Sequence, residues 1–516
     1  MLNNILKNWS KYSVRTIFIT FCLAALIFSG LISMLIGSDS SWDLRNYHLY
    51  NPYAFVEDRI AIDIAPAQLQ SYPTPLADLP FYLLFTLLND HPRTMTFILG
   101  FSYGICLILL GLIAFQLAHL LQPLQRWVFT GLVIIIGSSG AATVGLIGST
   151  VNEMPMTMFL LASMAMIIYR ITHRGNQSIN PLLTFFIAGM LAGIPAGLKP
   201  TYGILAFGIG MGVVWLFIIR TLPFSAVVAC ALGMFVSFLA VSVYWMLTLY
   251  EQFGNPLFPY FNDIFKSSMA KVNRFADTRF IPGNLSDALL LPFTLWTKEH
   301  PPMGGPPIRD LRVGLAIISV TGMLLFAVIK YARSKITHTS NNLRINNGFS
   351  FLVCVFVVSY FLWVYSYAIY RYILVLEILS SILIIYPLFL LVRRPLAQYF
   401  MLTVLSLTLL LTTIPNTWNT EARMFFYGRN HDNEKYIDVN APEVEDNSLV
   451  FLVGPDPMAF FIPFMNPSAR FIGIHNNFLS LNDTNATIDK IHDLVAEHDG
   501  EIYAFISNPG SRHNNS

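Results

Sequence analysis

Charge is scarce in this chain: Asp, Glu, Lys and Arg make up 12% of its 516 residues, about half of what a water-soluble domain carries. An apolar share of 55% and a mean hydropathy of +0.57 exceed what a soluble core could hide, which excludes an ordinary water-soluble globular protein. An excess of one sign is missing too, with 31 basic against 29 acidic residues and a net charge of +2. So small and dispersed a balance speaks against nucleic acid as a partner. Cysteine is equally sparse. Cys22, Cys106, Cys230 and Cys354 all fall inside apolar runs, so they read as small buried hydrophobes, not as a disulfide framework or a metal site. Lys7, Lys11 and Arg15 precede the first apolar run, and no small-residue cleavage pattern comes after it. That combination reads as an uncleaved signal anchor.

Long apolar runs are what the chain does have. At about 20 residues per crossing of a bilayer core, eleven spans are expected, near 16–36, 94–119, 127–147, 154–170, 181–199, 202–219, 224–250, 312–331, 348–367, 370–392 and 396–414. The expected fold is therefore an all-α polytopic membrane protein. A cytoplasmic N-terminus puts Lys7, Lys11, Arg15, Arg126, Arg170, Arg174, Arg220, Lys330, Arg333, Lys335, Arg344, Arg393 and Arg394 on the cytoplasmic side, with no Asp or Glu among those segments between Arg15 and Arg394. This is the asymmetry that sets orientation in membranes. It leaves outside the loops near 37–93 and 251–311 and a tail at 415–516, with 1–414 as the transmembrane domain. In the tail, "NSLVFLVG", "ARFIGI" and "EIYAFIS" read as short buried strands and "ATIDKIHDLVAEH" as a helix. A small C-terminal α/β appendage is expected.

The first outside loop opens with "GSDSSWDLRNYHLYNPYAF". The remainder of the loop is too apolar to hang free in water and too broken by Pro66, Pro73 and Pro75 to cross a membrane. It should lie along the interface as short helices, with Tyr53, Tyr72, Phe81 and Tyr82 at headgroup level, roofing a cavity between the spans. Asp39 and Asp43 stand four apart, which on a helix puts both carboxylates on one face. Asp39 or Ser38 also suits the cap of a helix beginning at Trp42. Asp43, between Trp42 and Tyr47 under an apolar roof, should lose hydration, which raises a carboxyl pKa toward the range of a general base. Tyr47 and His48 come closely enough after it to support it.

Further candidates lie at the outer ends of later spans. Glu153 is either a functional acid or a helix N-terminal acid favoured by the macrodipole, with Pro155 in the first turn. Lys199 breaks the charge asymmetry, either by snorkelling or by meeting an anion. Arg371 has the fork to hold two phosphate oxygens. Glu377, inside a span, is a functional residue by default or the partner of a buried arginine. His300, Arg309, Asp310 and Arg312 suit either a phosphate or sugar site or the anchoring of their loop.

An uncleaved first helix, an outside loop opening with Asp-x-x-x-Tyr, interfacial helices and many further spans together resemble the C-type (GT-C) glycosyltransferases. Their bacterial members related to protein mannosyltransferases and to the lipid A aminoarabinose transferase often carry Asp-Glu-x-x-Tyr at this point. This chain has Asp43-Leu44-Arg45-Asn46-Tyr47, so the second acid is replaced by Leu44. The resemblance implies Asp43 as the base and Glu153 as the acid of the second outside loop. It also implies Lys199, in the Lys-Gly-Pro-like "LKPT", as a contact of the lipid phosphate, for which Arg371 is the second candidate by its fork. The replaced acid argues against a metal held by paired carboxylates, and no cofactor is implied with certainty; a divalent cation is left open. The implied activity is transfer of a sugar from a polyprenyl-phosphate donor to a glycan, lipid or protein acceptor at the outer face of a bacterial inner membrane. A transporter or flippase of lipid-linked saccharides and an oligosaccharide polymerase or ligase are the other readings.

Overall fold

The computed structural model describes residues 14–173, 180–295, 308–337, 346–392, 394–414, 423–424 and 435–506. Lys7, Lys11, Arg174, His300, Arg344 and Arg393 lie outside the described residues. The chain is mostly helical. Among the described residues nine helices are long and apolar enough to cross a membrane: Phe18–Ile36, Pro92–Leu117, Glu153–Thr172, Pro181–Leu198, Pro200–Ile218, Phe224–Phe253, Arg312–Lys330, Asn347–Ser366 and Tyr370–Leu391.

The two remaining expected spans form shorter apolar helices, Pro123–Ser138 and Gln398–Thr412. The first differs from the expected 127–147 for a visible reason. After Ser138 the chain turns at Gly140 into a separate short helix, Ala141–Gly145. Its first amides are taken by carboxylates: Ala141 N–H donates to Asp310 Oδ2 at 2.8 Å, and Ala142 and Thr143 N–H donate to Glu377 Oε2 and Oε1 at 2.9 and 2.8 Å. Orphan amides at a helix start need such acceptors when no water is present.

Helix packing is set by small residues. Gly189, Gly193 and Gly197 recur every fourth position on one helix, and an added Cβ at Gly189 would overlap the Cys230 carbonyl of the Phe224–Phe253 helix. Close backbone approach of this kind is how helices associate where burial of apolar surface gives no net drive. The Tyr370–Leu391 helix is the most enclosed, with every residue from Leu374 to Pro387 buried. By contrast, Leu23, Ile27, Phe28, Leu31 and Leu35 of the first helix are exposed, as lipid contact demands. All four cysteines are free.

The C-terminal strands form a parallel three-stranded sheet with Leu449–Val453 at its centre, flanked by Arg470–Ile474 and Ile502–Ile506. Asn485 caps the Ala486–Glu497 helix by accepting from Thr487 and Ile488 N–H. The unit is not a free appendage. Ile64 of the first loop bridges the edge strand through Ile64 N–H to Phe471 O and Gly473 N–H to Ile64 O, both 2.9 Å. Arg59 grips Asp63 and donates to Pro467 O and Ala469 O, while Asp63 accepts from Phe471 N–H. Ile64, Tyr72, Trp245, Phe258, Ile472 and Ile491 share one apolar core, so loop and sheet are packed as a single layer over one end of the bundle.

Candidate functional site

Beneath that layer the chain leaves the first helix at Ile36, turns at Gly37 and pairs Ser38–Asp39 with 423–424. Asp39 fixes this turn. Its Oδ2 accepts from Thr150 N–H and Oγ1–H at 2.8 and 2.7 Å, and its Oδ1 accepts from Ser41 N–H. Ser41, by accepting from Leu44 N–H, caps the helical turn at Trp42. Asp39 is therefore neither that cap nor on a helical face shared with Asp43, because the helix begins only after it.

Asp43 is buried, and its Oδ2 accepts from Arg371 NH1 at 2.7 Å. Arg371 Nε lies 3.4 Å from Glu153 Oε1, which also accepts from Lys199 Nζ at 2.7 Å. The result is a chain of alternating charge, Asp43, Arg371, Glu153, Lys199, drawn from four separate segments. Local sequence sets each piece. Glu153 starts its helix, and Tyr202 Oη donates to its carbonyl at 3.0 Å. Lys199 ends the Pro181–Leu198 helix in extended conformation because Pro200 disfavours helical backbone in the residue before it. Arg371 and Tyr372 occupy the tight turn that opens the most enclosed helix, and the Tyr372 ring lies 5.4 Å from Lys199 Nζ and 5.3 Å from the Arg371 guanidinium.

The expected rise in the Asp43 pKa is reversed. Burial does push this carboxyl up, but the charges of Arg371, His48 and Lys199 outweigh it and hold the group below its ordinary value. Desolvation and His48 belong to the local sequence, but the largest counter-charge, Arg371, is 328 positions away. The Tyr47 phenol is pushed well above its usual range by burial and then by the Asp43 charge, so it stays neutral.

His48 sits on the same widened turn, Leu44–His48, whose hydrogen bonds run i to i+5. Its Nδ1 is 2.6 Å from Asp78 Oδ1, and Asn152 Nδ2 donates to the same oxygen at 2.7 Å. Burial disfavours the imidazolium, but Asp78 and Asp43 overcome this and raise the His48 pKa. Among the described residues, His48 Nε2 and Glu153 Oε2 are buried without a hydrogen-bond partner.

Glu377 does not join this group. Both its oxygens are occupied by the Ala141–Gly145 helix, with Thr143 Oγ1–H adding a 2.6 Å bond. Arg312, completely buried, pairs with Asp310 at 2.8 Å and donates to Ile136 O and to Ser139 O and Oγ. Asp310 and Arg312 thus act in anchoring. Among the described residues, no group of three or more His, Cys, Asp or Glu side chains is placed to hold a metal ion. Asp78 and Asn152 escaped sequence reasoning. Asp78 reads as one acid before "LPFYLL", and Asn152 as a neutral neighbour of Glu153. Comparison with protein-family models finds no matching family, and comparison with curated proteins and with solved structures finds no significant match.

Proposed function

We propose that this chain is a membrane glycosyltransferase that moves a sugar from a polyprenyl-phosphate donor to a glycan, lipid or protein acceptor. The observation that carries the reading is the meeting of Asp43, Glu153, Lys199 and Arg371 at one end of the bundle, two carboxylates against two cations. In the orientation set by the basic segments, that end faces away from the cytoplasm, as in a bacterial inner membrane.

Ionised Asp43 takes the proton of the acceptor hydroxyl. The acceptor oxygen attacks the anomeric carbon, the bond from that carbon to the phosphate oxygen breaks, and its electron pair leaves with the lipid phosphate. The configuration inverts. Negative charge grows on the phosphate as the bond breaks, and Lys199 and Arg371 offset it. Preorganised donors of this kind are worth about a hundredfold to a thousandfold each, and a positioned base about a hundredfold to ten-thousandfold. Arg371 has a second duty. It donates to Asp43 at 2.7 Å, and in the proposed reaction the phosphate draws the guanidinium across and frees the carboxylate to act as base.

A polymerase or ligase would place its essential residues in the late outside loop, and Arg312 at the end of that loop is completely buried and paired with Asp310, which argues against a role for it in such a site. The transferase is tested by supplying purified, reconstituted protein with sugars on polyprenyl phosphate together with a membrane extract holding glycan, lipid and protein acceptors, and monitoring release of the free lipid phosphate. Release by the parent chain and its loss in Asp43→Asn are the expected results; equal release by both would refute the role of Asp43.

A further inference from the structure

Among the buried titratable groups that the proposed displacement leaves without a task is His48. His48 is 1% exposed, and its ring lies with its centroid 4.1 Å from that of Tyr47. On an ordinary helix, residues five apart point about 140° away from each other. The turn at Leu44–His48 is widened to i to i+5 hydrogen bonding, which brings residues five apart round to one face. His48 is five residues after Asp43. The charges of Asp43 and Lys199 reach His48, and Asn152, directly before Glu153, donates to the Asp78 oxygen that His48 contacts.

Resting on the transferase reading above, we propose that His48 is a third phosphate ligand, donating from Nε2 to an oxygen of the lipid phosphate, with Asp78 and Asn152 as its positioning residues. Asp78 accepts at Nδ1, so that nitrogen carries a proton in either charge state, and Nε2 is the one that varies. As an imidazolium, His48 presents at Nε2 a buried N–H that no described residue satisfies. Buried donors are usually satisfied by protein, ordered water, an ion or a ligand, and an anionic ligand is the partner that an imidazolium N–H holds most strongly. The charged groups around it are Asp78, Asp43 on its own turn and Lys199 at the end of the Pro181–Leu198 helix, with Glu153 and Arg371 linking the last two. Three carboxylates face three cations when His48 is charged, so the resting site is neutral. A lipid phosphate leaving as a monoester carries about 1.5 to 2 negative charges against one in the donor diester, and a charged His48 meets part of that increase.

The test needs neither the sugar nor the acceptor. Binding of a polyprenyl monophosphate to the full chain in nanodiscs is measured from pH 5.5 to pH 8.5 for the parent, His48→Asn and Asp78→Asn. Asn keeps a donor toward Asp78 but has nothing at the place of Nε2. At the acid end the parent should bind about tenfold to a hundredfold tighter than His48→Asn, the range of a hydrogen bond to a charged group. That advantage should vanish as pH rises through the His48 pKa; the second ionisation of the ligand is common to both proteins and cancels in the ratio. Asp78→Asn, lacking the charge that raises the His48 pKa, should lose its tight binding at lower pH than the parent, a displacement that a merely structural role does not produce. Equal affinities of parent and His48→Asn at pH 5.5, or an unmoved midpoint in Asp78→Asn, would overturn the role of His48 while leaving the transferase reading intact. Failure of the parent to bind the lipid at any pH would overturn both.

Discussion

Two buried ionic clusters stand in this bundle, and they are built from the same materials to different ends. Around Asp310, Arg312 and Glu377 every carboxylate oxygen is engaged: Glu377 holds three donors of the Ala141–Gly145 helix, and Asp310 accepts from Ala141 N–H, Arg312 N–H and the Arg312 guanidinium. Around Asp43 and Glu153 the pairing is incomplete. Glu153 Oε2 and His48 Nε2 have no partner among the described residues, and the side chains of Lys199 and Arg371 are 17% and 14% exposed while those of Asp310 and Arg312 are closed off entirely. A satisfied buried network rigidifies a fold, and one with free valences beside partly exposed cations has capacity left for a further partner. Charge alone therefore does not separate the two clusters; the engagement of their carboxylate oxygens does.

The contrast is most severely tried by exchanging which cluster is damaged. Asp43→Asn should lower transfer by about a hundredfold to ten-thousandfold, yet lower the unfolding temperature in detergent far less than loss of a fully buried pair does, because Arg371 keeps its contact with Glu153. Arg312→Met should do the reverse. Removing one partner of a fully buried pair costs about 3–5 kcal/mol of stability, read as a large drop in unfolding temperature, while protein that remains folded keeps its transfer rate per molecule. An Arg312→Met protein as stable as its parent would erase the distinction between the clusters.

A gentler probe of the finished cluster is Gly140→Ala. The new Cβ would overlap the Glu377 carboxylate, displacing it from the amides of Ala142 and Thr143. Overpacking of this sort typically costs about 1–3 kcal/mol. Comparison with Gly254→Ala sharpens the result, since an added Cβ there meets nothing within 4 Å and only its positive φ of 68° resists the change. Denaturation in detergent should rank Gly140→Ala as the less stable of the two; the opposite order would show that Glu377 is not held where its hydrogen bonds place it.

Legibility in the sequence divides along the same line. Hydropathy located the membrane-length helices because about 20 apolar residues have few other uses. Lone charges at the ends of those runs singled out Asp43, Glu153, Lys199 and Arg371, since each departs from its apolar surroundings. Pairing could not be read. Asp43 is joined to Arg371 across 328 positions, Glu377 to Thr143 across 234, and Arg59 to Ala469 across 410. For that reason the sign of the Asp43 shift, the capping duty of Glu377 and the union of first loop and C-terminal sheet all emerged only with the fold. Asp78 carried no signal at all, because its importance lies in what Nδ1 of a distant histidine does with it.

The smallest effect concerns acid pH and returns to the unfinished cluster. Asp43 has its folded pKa depressed: burial raises it, but Arg371, His48 and Lys199 lower it further. A carboxylate of this kind contributes stability in full above its unfolded value of about 3.9 and loses it as pH falls through the lower folded value. Once the pH is low enough that His48 is charged in both proteins, the difference in unfolding temperature between parent and Asp43→Asn should therefore hold steady down to roughly pH 4.5 and shrink only below that. Were desolvation dominant instead, the folded pKa would lie above the unfolded one and the difference would change on the near-neutral side of pH 4.5. The position of that change thus decides whether Arg371 governs the resting charge of Asp43, and with it whether the carboxylate is already ionised when donor and acceptor arrive.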